Sequence, residues 1–336
     1  MKIAIIADPF IPIPPQNYGG IERIIDFLSR GLAAKGHDIL LVANKDSTTS
    51  ISLLKFPEQK KGLINHLENV KVISKLYSFQ PDVIHSFGRL AYLLPFFNSK
   101  TPKVMSYQRE PTIKQIVNAK KIFKKNTLSF TGCSSYISNQ ILPYATSSVV
   151  YNGVEIDKYN FVASPPPDAA LVFLGRIEPI KGPHIAIQVA QKAGKKLVIA
   201  GNIPQEYESY FEKEIKPALN DQITFIGPVN DMQKNELLGN KSAFLMPIEW
   251  DEPFGIVMAE AMACGTPVIS FARGSVPEVV THNITGFICQ SIDEMVTAVG
   301  KIDTIDRNLV RRDCENRFSS TTIIENYLNI YRSSLL

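Results

Sequence analysis

The chain has 336 residues, 45% of them hydrophobic and 20% charged, which excludes disordered, collagen-like and stalk-like proteins and suggests two domains of ordinary size. Its four cysteines are scattered without a C-x-x-C, and its five histidines form no H-x3-H or H-E-x-x-H pattern, so neither a disulfide scaffold nor a zinc site is expected. The formal net charge of +4 hides an asymmetry: residues 1–160 carry 20 Lys and Arg against 11 Asp and Glu (+9), and residues 161–336 carry 16 against 21 (−5), which points to an anionic surface or substrate on the side of the first half.

Met1-Lys2-Ile3 runs straight into a strand pattern with no small-residue cleavage site. No apolar run approaches the ~18 residues of a spanning helix, and a cytoplasmic protein is expected. Short apolar runs rich in branched residues alternate with helix-period stretches from end to end, the pattern of parallel sheets covered on both faces. The first half predicts strands at 2–7, 38–42, 82–85, 103–106, 128–132 and 147–151, with helices near 20–35, 62–79, 88–97, 112–124 and 134–140. The proline run Ser164-Pro165-Pro166-Pro167-Asp168 reads as a linker. Beyond it the alternation restarts, with strands at 170–174, 196–200, 222–226, 243–246 and 267–270. The expected class is therefore α/β, with one doubly wound domain over 1–163 and a second over 168–318. Ligands of such sheets sit beyond the carboxyl ends of the strands, so two units facing each other would place a site between their loop edges.

The informative residues do follow strands. Asn17-Tyr18-Gly19-Gly20 opens the first helix, and its paired glycines let backbone approach a ligand closely, although such a pair is often only a turn. His85 ends one strand and Asn152 another; a lone strand-end histidine is most often structural. Gly175-Arg176 and Lys181-Gly182 place two cations on one strand-to-helix loop. A guanidinium fork and a compact ammonium suit a diphosphate, and two solvated surface cations are the plain alternative. Glu252 and Glu260 lie eight apart around Phe254-Gly255 and the helix that begins at Ile256-Val257. Free N–H groups and the helix dipole favour an anion there. Glu260, among Ala259, Ala261, Met262 and Ala263, is costly to bury unless it accepts hydrogen bonds, for instance from ribose hydroxyls; an exposed surface Glu is the alternative.

Together these residues resemble the retaining glycosyltransferases of family four, the group 1 glycosyl transferases, over nearly the whole chain. The resemblance rests on Gly19-Gly20, Asn152-Gly153-Val154, the Gly175-Arg176 to Lys181-Gly182 loop, and the E-x7-E element Glu252 to Glu260 continuing through Cys264-Gly265-Thr266-Pro267. Gly274-Ser275-Val276-Pro277-Glu278 and Gly286-Phe287 extend it. It implies the GT-B fold, two Rossmann-like domains facing a central cleft, with a C-terminal helix over 319–336 that crosses back onto the first domain. It also implies that Arg176 and Lys181 hold the donor diphosphate, Glu260 the ribose and Glu252 the transferred sugar. Phe254, Gly255, Ile256 and Val257 offer backbone N–H groups, and Gly227, Pro228 and Val229 meet the base. By the same resemblance Gly19, Gly20 and Asn152 border the donor, and His85 is the cleft histidine near the reacting sugar. One departure concerns the acceptor: Tyr107-Gln108-Arg109-Glu110 stands where many members carry a second histidine.

The implied activity is transfer of a hexose from a nucleotide diphosphate sugar, a UDP-sugar favoured, to a hydroxyl of a glycan, glycolipid or small molecule, with retention. No cofactor or metal is expected, since the chain has no D-x-D, the pattern by which other glycosyltransferases hold a divalent ion, and no nucleic-acid partner is expected either. A nucleotide-sugar epimerase on the same fold, or a nucleotide-sugar-binding subunit without turnover, are the alternatives. A glycoside hydrolase would need carboxylates facing each other across a bond, and a dinucleotide oxidoreductase a G-x-G-x-x-G; the chain contains no G-x-G. Finally, residues 113–125 carry Lys114, Lys120, Lys121, Lys124 and Lys125 among apolar residues at helical spacing. A solvated helix face is one explanation, and peripheral contact with anionic lipids or an acidic acceptor the other.

Overall fold

The computed structural model describes residues 1–15, 19–59 and 63–336. It divides into two compact units, Met1–Gly153 with Ser320–Leu336, and Val154–Ser319. The first holds a seven-stranded sheet of β1 (Lys2–Ile6), β2 (Asp38–Ala43), β3 (Ser52–Lys55), β4 (Val83–Ser86), β5 (Lys103–Tyr107), β6 (Leu128–Gly132) and β7 (Ser147–Val149), in the order β3-β2-β1-β4-β5-β6-β7. The second holds β8 (Leu171–Leu174), β9 (Leu197–Ala200), β10 (Ile223–Phe225), β11 (Phe244–Met246), β12 (Val268–Phe271) and β13 (Gly286–Cys289), in the order β10-β9-β8-β11-β12-β13. Every pairing is parallel. The strand order reverses between β1 and β4 and again between β8 and β11, which marks the edge where ligands collect in such sheets.

The central strands are apolar on both faces because helices cover both sides: Ile3, Ala4, Ile5, Ile6 and Ala7 have no exposed surface, nor do Leu171, Val172 and Leu245. The helix Gly20–Ala34 buries Ile24, Ile25, Phe27, Leu28 and Leu32 on one stripe; each such apolar side chain contributes roughly 1.5–3 kcal/mol relative to exposure. The last helix, Ser320–Leu335, packs against it and buries Ile323, Ile324, Tyr327, Leu328 and Tyr331. Gly31 makes the approach close, since a Cβ there would overlap Ile324.

Several elements differ from expectation. The short strands β3 and β13 emerge, and the 62–79 stretch divides into Leu63–Ser74 and Leu76–Phe79. Residues 90–96 form a 3-10 helix containing Pro95, which cannot donate an intrahelical hydrogen bond. The chain passes into the second unit at Val154, ahead of the proline run. Val154 donates to Phe318 (2.8 Å), Val162 to Cys264 (3.1 Å), and the backbone N–H of Asn160 to the Asn235 side chain (2.9 Å), so residues 154–163 are stitched to the second unit. Among the described residues no helix is long and apolar enough to cross a membrane.

Candidate functional site

In the second unit, the loops after β8 and β11 meet. β8 ends at Leu174 and delivers Gly175-Arg176; a turn at Pro179–Lys181 then leads through Gly182 into the helix Pro183–Ala193. Gly182 has φ +74°, and a side chain there would strike the carbonyl oxygen of Pro247, just after β11, so only glycine lets the two loops close up. The Glu249 amide donates to Ile180 (2.9 Å) and the Ser275 amide to the carbonyl of Glu252 (2.9 Å), which ties in the loop after β12.

Each cation of this loop has its own carboxylate. Arg176 Nη2 lies 2.8 Å from Glu178 Oε1, whose side chain is 3% exposed, and Lys181 Nζ donates to Glu252 Oε2 at 2.7 Å. Trp250 Nε1 donates to the same oxygen at 3.1 Å, and Lys181 stands 4.6 Å from the Trp250 ring centroid. Glu252 is thus clamped from two sides, which orients it and leaves its other oxygen for a hydroxyl. Beyond it, Gly255 (φ +73°) opens the helix Ile256–Ala263 with no side-chain cap. The first-turn N–H groups of Ile256 and Val257 therefore keep the positive end of the helix uncovered.

Glu260 is buried in that helix, 6% exposed, and its burial is compensated: Oε1 accepts from Tyr159 OH at 2.9 Å and from Lys234 Nζ. Burial first, then the Glu260 charge, pushes the Tyr159 phenol far up, so it remains a donor. Pro228 and Val229 follow β10, where the Gly201 amide donates to Gly227 (2.9 Å) and draws the loop toward the end of β9. Sequence reasoning passed over Glu178, Trp250, Lys234 and Tyr159. Only the Glu178 and Trp250 positions, beside expected site residues, carried a local signal.

The remaining expected site residues belong to the first unit. Gly19 caps the helix Gly20–Ala34; Asn17 and Tyr18 lie outside the described residues. Asn152 is 4% exposed, with Oδ1 unpartnered. At the carboxyl ends of β1 and β5, Asp8 Oδ1, the Tyr107 hydroxyl and both polar atoms of Gln108 are also buried without a partner among the described residues. Burial raises the Asp8 carboxyl against the opposing pull of Arg89 and Arg109, and burial pushes the Tyr107 phenol up to about 12. These orphaned groups are strand-end polar positions that want hydroxyl partners, and they fall where the second histidine is missing.

His85 is a correction. Its strand β4 is central, its ring has no exposed surface, and both nitrogens are engaged: Nδ1 with Tyr331 OH and Nε2 with Ser106 Oγ, each at 2.6 Å. The rings of Phe87 and Tyr327 stand 4.2 and 4.9 Å from it. It is a core residue beneath the last helix, not a side chain open to a reacting sugar. Burial lowers its pKa from 6.5 to about 3. The unfolded chain therefore binds a proton that the folded unit refuses: the contribution is complete above the unfolded value of 6.5 and is lost as pH falls toward 3. Urea unfolding of the first unit, followed by circular dichroism, is expected to lose about 2 kcal/mol between neutral pH and about pH 5, with a shallower dependence in His85→Asn. Equal dependence in the two proteins would refute this.

Residues 157–315 match the family model described as glycosyl transferases group 1, nearly the span of the second unit. The second unit is a glycosyl transferases group 1 domain. Over its whole length the chain is 26% identical to a putative glycosyltransferase, YtcC, of Bacillus subtilis, covering 93% of that protein. It is also 24% identical to the glycogen synthase of Mycobacterium tuberculosis, over 83% of this chain and 81% of the other. Among solved structures, Anabaena HepE in complex with UDP-glucose superposes with a TM-score of 0.76 over 99% of this chain and 100% of that one, at 18% identity. The fold is GT-B, and the chain is a glycosyltransferase. In the group 1 domain, the loop of Arg176 and Lys181, the Glu252 clamp and the bare helix start at Gly255 are the groups with chemistry to offer.

Proposed function

We propose that this glycosyltransferase moves a hexose from a nucleotide diphosphate sugar, with UDP as the favoured nucleotide, to a hydroxyl of a glycan, glycolipid or small molecule, with retention and without a metal ion. The observation that carries the proposal is the coincidence, in one unit, of Arg176 and Lys181 at the end of β8 with an uncapped helix start after β11. These are fixed positive charges and dipoles aimed at a diphosphate. The UDP-glucose held by HepE supports the choice of nucleotide.

As the bond between the anomeric carbon and the diphosphate oxygen breaks, negative charge builds on the leaving diphosphate, and Arg176, Lys181 and the N–H groups of Ile256 and Val257 stabilise it electrostatically. The acceptor oxygen bonds to the anomeric carbon on the same face, and its proton passes to the departing phosphate oxygen. Glu252 holds hydroxyls of the transferred sugar and Glu260 those of the ribose. In the first unit, the unpartnered polar groups of Asp8, Tyr107 and Gln108 are of the kind that hydroxyls satisfy. A cytoplasmic setting belongs to the same proposal.

The test is a thermal-shift panel of UDP, GDP and their sugar conjugates with magnesium or with chelator, followed by product analysis, because ligands that bind the native state raise its stability. A shift with uridine nucleotides that chelator leaves unchanged, with a transfer product, is the expected outcome. An epimerised donor, or binding without turnover, would replace transfer by one of the two alternatives. Glu260→Gln is expected to weaken UDP binding about tenfold, the scale of one charge-assisted hydrogen bond. Trp250, the single tryptophan, reports that binding by fluorescence; unchanged affinity would remove Glu260 from the ribose.

A further inference from the structure

The +9 of the first half has a location. Residues 83–154 contain nine Lys and Arg and one carboxylate, Glu110, and they supply β4 through β7. Within this span the segments 94–100 and 120–127 lie side by side: the Lys124 amide donates to Phe97 (2.8 Å), and the buried Lys103 Nζ donates to Ser99 (2.7 Å) and stands over the Phe123 ring. Tyr77 joins them through a hydrogen bond to Pro95 (2.6 Å) and a ring contact of 4.6 Å with Phe96. The surface so assembled exposes large apolar side chains that a packed domain normally hides: Tyr77 54%, Ile122 52%, Phe97 44% and Leu94 42%. Lys100, Lys120, Lys121, Lys124 and Lys125 are all exposed on the same two segments.

We infer that this face of the first unit docks on an anionic lipid bilayer, its apolar side chains entering the headgroup region and its lysines pairing with lipid phosphates. Exposed apolar groups interleaved with lysines, with no acid on either segment, match that partner on both counts. Apolar burial supplies attraction that a purely charged surface lacks, and each lysine near an anionic leaflet adds electrostatic attraction to it. A duplex nucleic acid would use the lysines and leave Ile122 and Phe97 idle. The face lies at the start of β5, beside Lys103, whereas Tyr107 and Gln108 lie at its end, roughly 13 Å away along the strand. Docking therefore leaves the strand ends that carry Asp8 and Gln108 clear of the lipid. The inference goes beyond glycosyl transfer and does not depend on it.

The full chain is sedimented with vesicles of pure phosphatidylcholine and with vesicles containing one-third phosphatidylglycerol, at low and at high salt. Binding to the anionic vesicles alone, lost at high salt, weakened at least about tenfold by Lys120→Glu with Lys121→Glu and weakened again by Ile122→Ser, is the expected result. No sedimentation at low salt overturns the inference, as does binding that charge reversal leaves unchanged. Binding that ignores Ile122→Ser and is matched by an RNA oligonucleotide would also overturn it, by assigning the face to a polyanion. UDP affinity, read from Trp250 on the same variants, is expected to stay at the wild-type value, so loss of lipid binding and loss of the donor site are separable.

Discussion

Arg176→Ala is expected to lower turnover by about 10²–10³-fold, because a fixed charge aimed at a leaving group acts where charge develops and is worth roughly 3–4 kcal/mol there. The Arg176 side chain is 41% exposed, so its own folding contribution is small. Its neighbour Glu178 is another matter: at 3% exposure it would be left as an unpaired buried carboxylate. Arg176→Ala with Glu178→Gln removes that complication. If the double variant regains stability but not turnover, the lost function belongs to the guanidinium; release of UDP from the donor, with acceptor or with water, provides the rate. Turnover unchanged by Arg176→Ala would remove the residue from the diphosphate. Lys181→Ala should lower turnover comparably, but with a structural cost, because Glu252 then keeps only Trp250 as a partner.

The second large effect concerns stability. Arg307 is 7% exposed, and every branch of its guanidinium is used: Nε donates to the Val162 carbonyl (2.7 Å), Nη1 to Lys241 (2.9 Å), and Nη2 to Gly239 (2.9 Å) and to the Thr266 hydroxyl (2.8 Å). No carboxylate is involved. Burial lowers its pKa to about 10, so it stays charged at neutral pH. It ties its own helix to three separate segments of the second unit around one plane, which no shorter or unbranched side chain can do. Arg307→Met fills similar space but leaves three backbone carbonyls without a donor, and is expected to destabilise the unit by roughly 3 kcal/mol or more. Trp250 lies in this unit alone, so its fluorescence isolates the transition during urea unfolding. A midpoint unchanged from wild type would contradict the account.

Much of the second unit was legible because its chemistry is written locally. Arg176, Lys181, Glu252 and Glu260 follow strands whose apolar runs are unmistakable, and the glycines at 182 and 255 stand beside them. What escaped depends on distance along the chain. Tyr159 reaches Glu260 across 101 residues, and Lys234 comes from the helix Asp231–Gly239; neither position is marked by its own neighbours. His85 shows the same limit from the other side. Its place at a strand end is visible in sequence, but Tyr331, 246 residues later, covers it, and a single sequence does not reveal what a distant helix buries. β3 and β13 were missed because four residues such as Ser52–Lys55, with an exposed residue at each end, carry too weak an alternation to separate them from loop.

The first unit is assembled from two stretches of chain, with the whole of the second unit inserted before Ser320–Leu336. On the ribosome this imposes an order. The continuous second unit can finish folding as it emerges, while the first must wait with its sheet made and the face over His85 and Ser106 open until the final helix leaves the exit tunnel. That interval makes the nascent first unit the vulnerable part of the molecule, the one a chaperone would have to shield. A chain terminated shortly before Ile323 should still yield a folded second unit attached to a sticky, unfinished neighbour.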